Sequence, residues 1–388
     1  MRKEITQIIK EEGFRLGFDL IGVAPVGDYP ESQYYKKWLN KGYEATMSYM
    51  SKNPGRREDV RNIMPGAKSV ISCALNYNSD YPYSVSQKDR NKGWIARYAW
   101  GDDYHGIVNE KLNTLKSFII ENIEDEFNSK VYVDTGPVLE RMYGKYSGVG
   151  WVGKNTCIIN QEMGSWLFLG EIITNLELDY DSQVPDRCGT CTECIDRCPT
   201  NAIREPYVLD SSSCISYFTI ENKGEIPDKY REAIGNNVFG CDICQDVCPW
   251  NINANNETDD AFLPREGLFQ PDLGYLLGLE QEEFSSIFKN SPIKRAKRKG
   301  IIRNVLVAIG NSGSSEYVDL VYNLLDDIDP MIRSHAVWTL WKIQGQQCLT
   351  ALKSMLKSET DENVLSELNK ILADNNLTEQ VQSTSPEN

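Results

Sequence analysis

Eight of the eleven cysteines in this 388-residue chain fall between Cys188 and Cys248. No other feature restricts its folding as strongly. Cys188, Cys191, Cys194 and Cys198 form C-x2-C-x2-C-x3-C, closed by Pro199. In bacterial two-cluster ferredoxins this spacing gives three thiolates to one [4Fe–4S] cluster and the fourth to the other. A second copy, Cys241, Cys244 and Cys248 with Pro249, has Val238 where its first cysteine belongs. Cys214 is the only unassigned cysteine of the region and supplies the missing ligand. The count closes on Cys188, Cys191, Cys194 and Cys248 for one cluster, and Cys198, Cys214, Cys241 and Cys244 for the other. A pair of zinc sites would also use C-x2-C pairs, but two Cys-Pro closures and a count of eight favour iron. Cys73, Cys157 and Cys348 stand apart in sequence and read as small buried side chains.

Clustered thiols bind metal where the compartment is reducing. The first residues, MRKEITQIIKEEG, are charged throughout and lack an apolar signal core, so export is not expected. No apolar run reaches the roughly 18 residues of a membrane helix. A cytoplasmic chain with no membrane partner is therefore expected.

Three regions follow from patterning. Residues 1–180 read as an α/β domain. Ile5, Ile8, Ile9 and Leu16 fall at helical spacing, 109–123 is a helix, 67–75 and 165–173 are β-rich, and 130–134 is a strand ending on Asp134. Residues 181–255 hold too few apolar side chains for a core of their own, so bound metal must help to hold them. Residues 256–380 read as all-α. An offset of 32 residues sets Asp361, Val364, Leu368 and Leu372 against Asp329, Ile332, Ala336 and Leu340. That is a HEAT-like repeat, shorter than the usual ~40–47 residues; an ordinary helical bundle is the alternative.

Two motifs fail on inspection. Gly148, Gly150 and Gly153 match G-x-G-x-x-G, and Lys154 nearly completes a phosphate loop. Both need a strand directly before the glycines, yet 138–146 reads as helix. Asp103 and His105 begin a D-x-H-x-x-G corrinoid signature that ends at Val108 instead of glycine. With only His105 and His335 in the chain, a histidine beneath cobalt is not expected. Asp134, before Thr135-Gly136-Pro137, reads on residue statistics as a turn or helix cap.

The segments RYAWGDDYH (97–105), DTGPVLER (134–141), GWVGKNT (150–156) and GSWLFLGE (164–171), followed by the eight cysteines, succeed one another as in the epoxyqueuosine reductases. The chain resembles that family along most of its length. The resemblance implies a cobalamin on the N-terminal domain and reduction of epoxyqueuosine to queuosine in tRNA, the last step of queuosine formation. An unidentified single-electron donor feeds the clusters, and the enzyme is expected to be a monomer. Asp134 matches the family's proton donor, and burial beside the corrin should raise its pKa. Arg57, Arg97, Tyr104, His105, Asn155, Thr156 and Ser165 are candidates to hold the corrin. Asp242 and Gln245, between cluster ligands, either face the cofactor or lie in solvent. Trp100 departs from the family pattern, where a basic or polar residue is expected. The competing functions are a corrinoid reductase of a small molecule, resembling the reductive dehalogenases, and a plain electron carrier. The carrier has no use for the long N-terminal region.

The net charge of −15 argues against a general polyanion binder. Yet 284–315 contains no acid and seven bases, Lys289, Lys294, Arg295, Lys297, Arg298, Lys299 and Arg303. Its local charge is +7, which leaves −22 on the remainder. Such a run is either a solvated helix end or a phosphate-binding stripe; the tRNA substrate that the resemblance implies favours the second, with Lys294, Arg295, Lys297, Arg298 and Arg303 on the anticodon stem-loop backbone.

The ligand count predicts about eight iron atoms per chain after anaerobic preparation. Cys214→Ala should lose about half of them, from the set without a local fourth cysteine. Zinc in place of iron would overturn the assignment.

Overall fold

The computed structural model describes residues 2–123 and 126–383. Its N-terminal sheet contains β1 (Leu20–Pro25), β2 (Ser69–Asn76), β3 (Ser129–Tyr132) and β4 (Leu167–Thr174). They run β1-β2-β4-β3, antiparallel throughout. Every residue of β2 is buried. Cover on both faces is why Val70, Ile71, Cys73, Ala74 and Leu75 are apolar without alternation and the polar Ser69, Ser72 and Asn76 are buried with them.

Helices supply that cover. They are α1 (Arg2–Arg15), α3 (Tyr104–Asn122) and α4 (Glu140–Tyr146), with α2 (Glu31–Asn40) between α1 and α3 in the chain. α3 buries Val108, Leu112, Leu115 and Ile119 against Ile71, Cys73 and Ile172 of one face. α4 places Met142 and Tyr143 against Val70 and Ile173 of the other. The chain leaving α4 presses on β1 so closely that a Cβ at Gly22 would lie 1.9 Å from the Ser147 carbonyl oxygen. Only glycine permits that approach.

The C-terminal body is built on α5 (Lys297–Ser312), α6 (Pro330–Gln344) and α7 (Glu362–Ser383). The 32-residue register holds in space. Asp329 accepts the Met331 N–H, and Asp361 accepts the Asn363 N–H. Ile332, Ala336 and Leu340 face the same core as Val364 and Leu368. That core also takes Trp94 and Trp100 from the N-terminal third and Val238 and Phe239 from the cysteine segment. Residues 94–95 pair with 237–239 as parallel strands.

The cysteine segment borrows apolar partners on both sides. Ile215, Phe218 and Ile234 pack with Val307 and Trp338 of the C-terminal helices. Cys248 lies with Trp151 and Ile159 of the N-terminal domain. Among the described residues no helix is long and apolar enough to cross a membrane.

One RNA-binding expectation is corrected here. Arg303 is 1% exposed, and its guanidinium donates to the carbonyls of Phe218, Asn222 and Gly224 at 2.5–2.8 Å. It ties the cysteine segment to α5 and cannot reach a phosphate. Arg303→Met keeps much of the bulk and strands those carbonyls, so it should cost on the order of 3 kcal/mol in urea unfolding. RNA affinity of the folded fraction should not change. A surface-like loss below about 0.5 kcal/mol would contradict the buried role.

Candidate active site

β3 ends at Tyr132, and the chain turns through Asp134 into α4. Asp134 has φ 53°, a left-handed conformation that costs a non-glycine residue about 1–2 kcal/mol. Its N–H donates to a carboxylate oxygen of Glu140. Its side chain is 60% exposed, with Oδ2 3.3 Å from Nε2 of His105. The other ring nitrogen of His105 lies 2.7 Å from Asp103, the residue that caps α3. The helix start thus delivers an Asp103–His105–Asp134 chain.

Charge is divided unevenly along it. Burial opposes a charge on His105, but hydrogen bonds to Asp103 and Asp134 outweigh it and push the imidazole up to about 9. The His105 hydrogen bond in turn holds Asp134 below the ordinary carboxylate range. This reverses, in the structure as it stands, the expectation that burial raises Asp134. At neutral pH the proton of the pair resides on His105. The raised carboxyls are the two behind it, Glu140 and Glu171, both lifted first by burial.

Asp134 opens onto a cavity of about 2400 Å³, well beyond the roughly 300–1,000 Å³ of ordinary ligand pockets. Of the expected corrin contacts, Arg57, Tyr104, His105, Asp134 and Thr156 line it. Lys294 and Arg295 of the basic run reach it too. Arg295 pairs with Glu221 at 3.0 Å, and its guanidinium lies 5.7 Å from the Tyr49 ring centre. Lys297 is exposed, while Arg298 is half-buried and donates to the Leu279 carbonyl.

The other expected corrin contacts, Arg97, Asn155, Ser165, Asp242 and Gln245, lie outside that lining. Arg97 is 1% exposed. It donates to the carbonyls of Ser79, Tyr81 and Pro82 and lies over the rings of Trp100 and Trp166 at 4.7 and 5.2 Å. That explains an aromatic residue at position 100. Asp242 is neither in solvent nor in the cavity; it is buried, accepting from the Trp94 indole and the Arg97 N–H. Asn155 donates to the Cys244 carbonyl, and Gln245 donates to Ser165 at 3.0 Å. All five are struts between the cysteine segment and the N-terminal domain. Sequence reading passed over Arg141, which lines the cavity and donates to Thr156. A charge on a short helix looks like surface, although it ends the DTGPVLER segment.

The cysteines gather as two groups. Burial raises the Cys194 thiol to about 11, with Cys248, Cys188 and Cys191 as its charged neighbours. Burial likewise lifts Cys241, whose cysteine neighbours are Cys214 and Cys198, and Cys244, which also has Cys241 beside it. Cys73 and Cys348 are buried as expected. Cys157 is not remote: it is half-buried and stands next to Cys244 and Cys214. Among the described residues no three His, Cys, Asp or Glu side chains close on a single-ion site.

Comparison with known proteins accounts for each region. Residues 57–135 match the family described as epoxyqueuosine reductase QueG, DUF1730. Residues 187–251 match a 4Fe-4S double cluster binding domain, and 294–373 match HEAT repeats. The chain is 42% identical over 302 residues to an epoxyqueuosine reductase of Cyclobacterium marinum, covering 77% of this chain and 95% of that one. It is 35% identical to the Escherichia coli enzyme, covering 87% and 89%. A crystal structure of epoxyqueuosine reductase with a tRNA-Tyr epoxyqueuosine-modified stem loop superposes with a TM-score of 0.89 at 30% identity, covering 95% and 98%. A Bacillus subtilis structure with its catalytic loop swung out of the active site gives 0.88 at 30% identity, with the same coverage. The sheet with its aspartate loop, the paired cysteine groups and the helical repeat together make this chain a member of the epoxyqueuosine reductase family.

Proposed function

We propose that this chain reduces epoxyqueuosine to queuosine in the anticodon loop of tRNA, with cobalamin in the large cavity and two [4Fe–4S] clusters as its electron supply. The observation that carries this reading is one cavity bearing both the Asp134–His105 pair and the first residues of the basic run, Lys294 and Arg295. A small-molecule reductase would have no use for that basic edge. The modified stem loop bound to a relative supports an RNA substrate.

The residues present fit the implied groups. Eight thiols in two sets of four suit two cubanes. The cavity has room for a corrin, and Arg57 has a buried Nε with no hydrogen-bond partner among the described residues. Its other nitrogens donate to Gly136 and Tyr49 carbonyls at 3.3 Å. Arg57, Tyr104, His105 and Thr156 would hold the corrin. When bound, cobalamin supplies the low-valent cobalt chemistry that opens and deoxygenates the epoxide with two electrons.

Protons come from the chain. Losing the epoxide oxygen as water takes two of them, and Asp134 is the acid at the cavity, charged through His105. Because the folded value of His105 lies above its ordinary one, its stabilising charge is complete below about pH 6.5 and is lost as pH rises through about 9. Turnover should fall over that same alkaline range. The relative with its loop swung out supports reading 133–139 as a movable carrier of the acid.

Asp134→Asn keeps the size and removes the acid. It should bind cobalamin and tRNA normally and lose turnover by about 10²-fold or more. Near-normal turnover would remove Asp134 from the reaction.

Lys294→Glu with Arg295→Glu and Lys297→Glu should abolish tRNA binding and leave iron and cobalamin content intact. Neutralising any one of the three should flatten the log–log salt dependence by roughly 0.7–0.9. Unchanged affinity and slope would shift the assignment to a small-molecule substrate.

A further inference from the structure

Behind the Asp134 loop lies a pair of acids that the reaction as described does not use. Glu140 opens α4 and accepts the Asp134 N–H. Glu171 sits in β4, in register with Ser72 of β2 and Tyr132 of β3. It is 0% exposed. Its carboxyl neighbours that of Glu140, and neither of its oxygens has a hydrogen-bond partner among the described residues. The buried Ser72 hydroxyl is equally unpaired there.

The charged and titratable groups around this pair are few. α4 contributes Glu140 and Arg141, the loop contributes Asp134 with His105 upon it, α3 contributes Tyr104, and β2 contributes Cys73. Arg141 acts on Glu140, and among the described residues no cation acts on Glu171. Two touching carboxylates in such a place cannot both ionise, so one keeps a proton. Glu140 already accepts the Asp134 N–H and has Arg141 beside it, whereas Glu171 is fully buried with neither. The proton therefore belongs on Glu171, which can donate it to the Glu140 carboxylate.

We propose that Glu140 is a positioning residue for Asp134, and that a protonated Glu171 holds Glu140 in place: Glu171 donates O–H to Glu140, and Glu140 accepts the Asp134 N–H. The chain Glu171–Glu140–Asp134 is then a latch that keeps the loop in its left-handed turn with the acid aimed into the cavity. The strained φ of Asp134 needs such an external hold, because the backbone alone disfavours it. Neither glutamate touches the reacting atoms. The inference rests on the reading of Asp134 as the acid, but its test does not.

The test uses cluster-loaded, full-length protein and two readouts that need no turnover. The first is the infrared C=O stretch of a protonated carboxyl at neutral pH. It should be present in the wild type and absent in Glu171→Gln. The second is hydrogen exchange of the Asp134 amide. Glu140→Ala should speed it by roughly tenfold or more. Glu140→Gln and Glu171→Gln, which retain an acceptor and a donor respectively, should keep near-wild-type protection. Glu171→Met, similar in size but without a donor, should lose it. A wild type without the protonated band, or a Glu140→Ala amide as protected as the wild type, overturns the latch. Should Glu140→Ala fail to fold, the contrast between Glu171→Gln and Glu171→Met decides: equal protection in the two also overturns it. Asp134→Asn turnover tests the acid separately.

Discussion

Residues 187–251 complete their apolar clusters only with side chains from both flanking regions, and much of the architecture answers that need. A segment rich in thiols and Cys-Pro turns has to be clamped from outside. α5 and α6 offer Val307 and Trp338 to its apolar side, while Trp151 and Ile159 back Cys248. Arg303 then satisfies the carbonyls that the irregular backbone leaves open. Such groups are costly if buried without a partner, which explains an arginine inside a helix that otherwise buries apolar residues. The result is a cysteine segment held between two bodies, with the cavity opening where they meet.

The same constraint redefines the polar residues near the cysteines. Arg97, Asp242, Asn155, Gln245 and Ser165 have the chemistry of cofactor ligands, yet each spends it on another part of the chain. Asp242 joins a tryptophan and a backbone N–H that lie some 145 positions away in sequence. Struts of this kind fix the distance between the cysteine groups and the sheet. In a low-dielectric interior they are strong when fully paired and harmful when not.

At the cavity the balance is electrostatic. His105 takes the proton because two acids flank it, and Asp134 stays charged because His105 is protonated. One layer deeper, Glu140 and Glu171 lie together with no cation acting on Glu171 among the described residues, so burial leaves one proton on the pair. Asp134 and the glutamate pair behind it thus differ in protonation through their partners alone. Asp134 is carried on a loop and backed by a helix and a strand.

Cysteine spacing, the 32-residue helical register and the apolar run of β2 were legible in the chain because each is a local regularity: ligand geometry, helix pitch and two-sided burial imprint themselves on neighbouring residues. Asp134 was legible through the order of motifs around it. What the sequence could not assign was the use of isolated polar side chains. Arg303 belongs to a basic run and looks like its neighbours, but its position on α5 turns it inward while Lys297 turns out. Arg97 and Asp242 find each other only when the 94–95 strand is laid against 237–239. The proton on His105 and the pairing of Glu140 with Glu171 depend on three elements meeting at one point. Periodicity is written along the chain, whereas a buried charge takes its meaning from whatever folding places within hydrogen-bonding reach, and that only the tertiary structure decides.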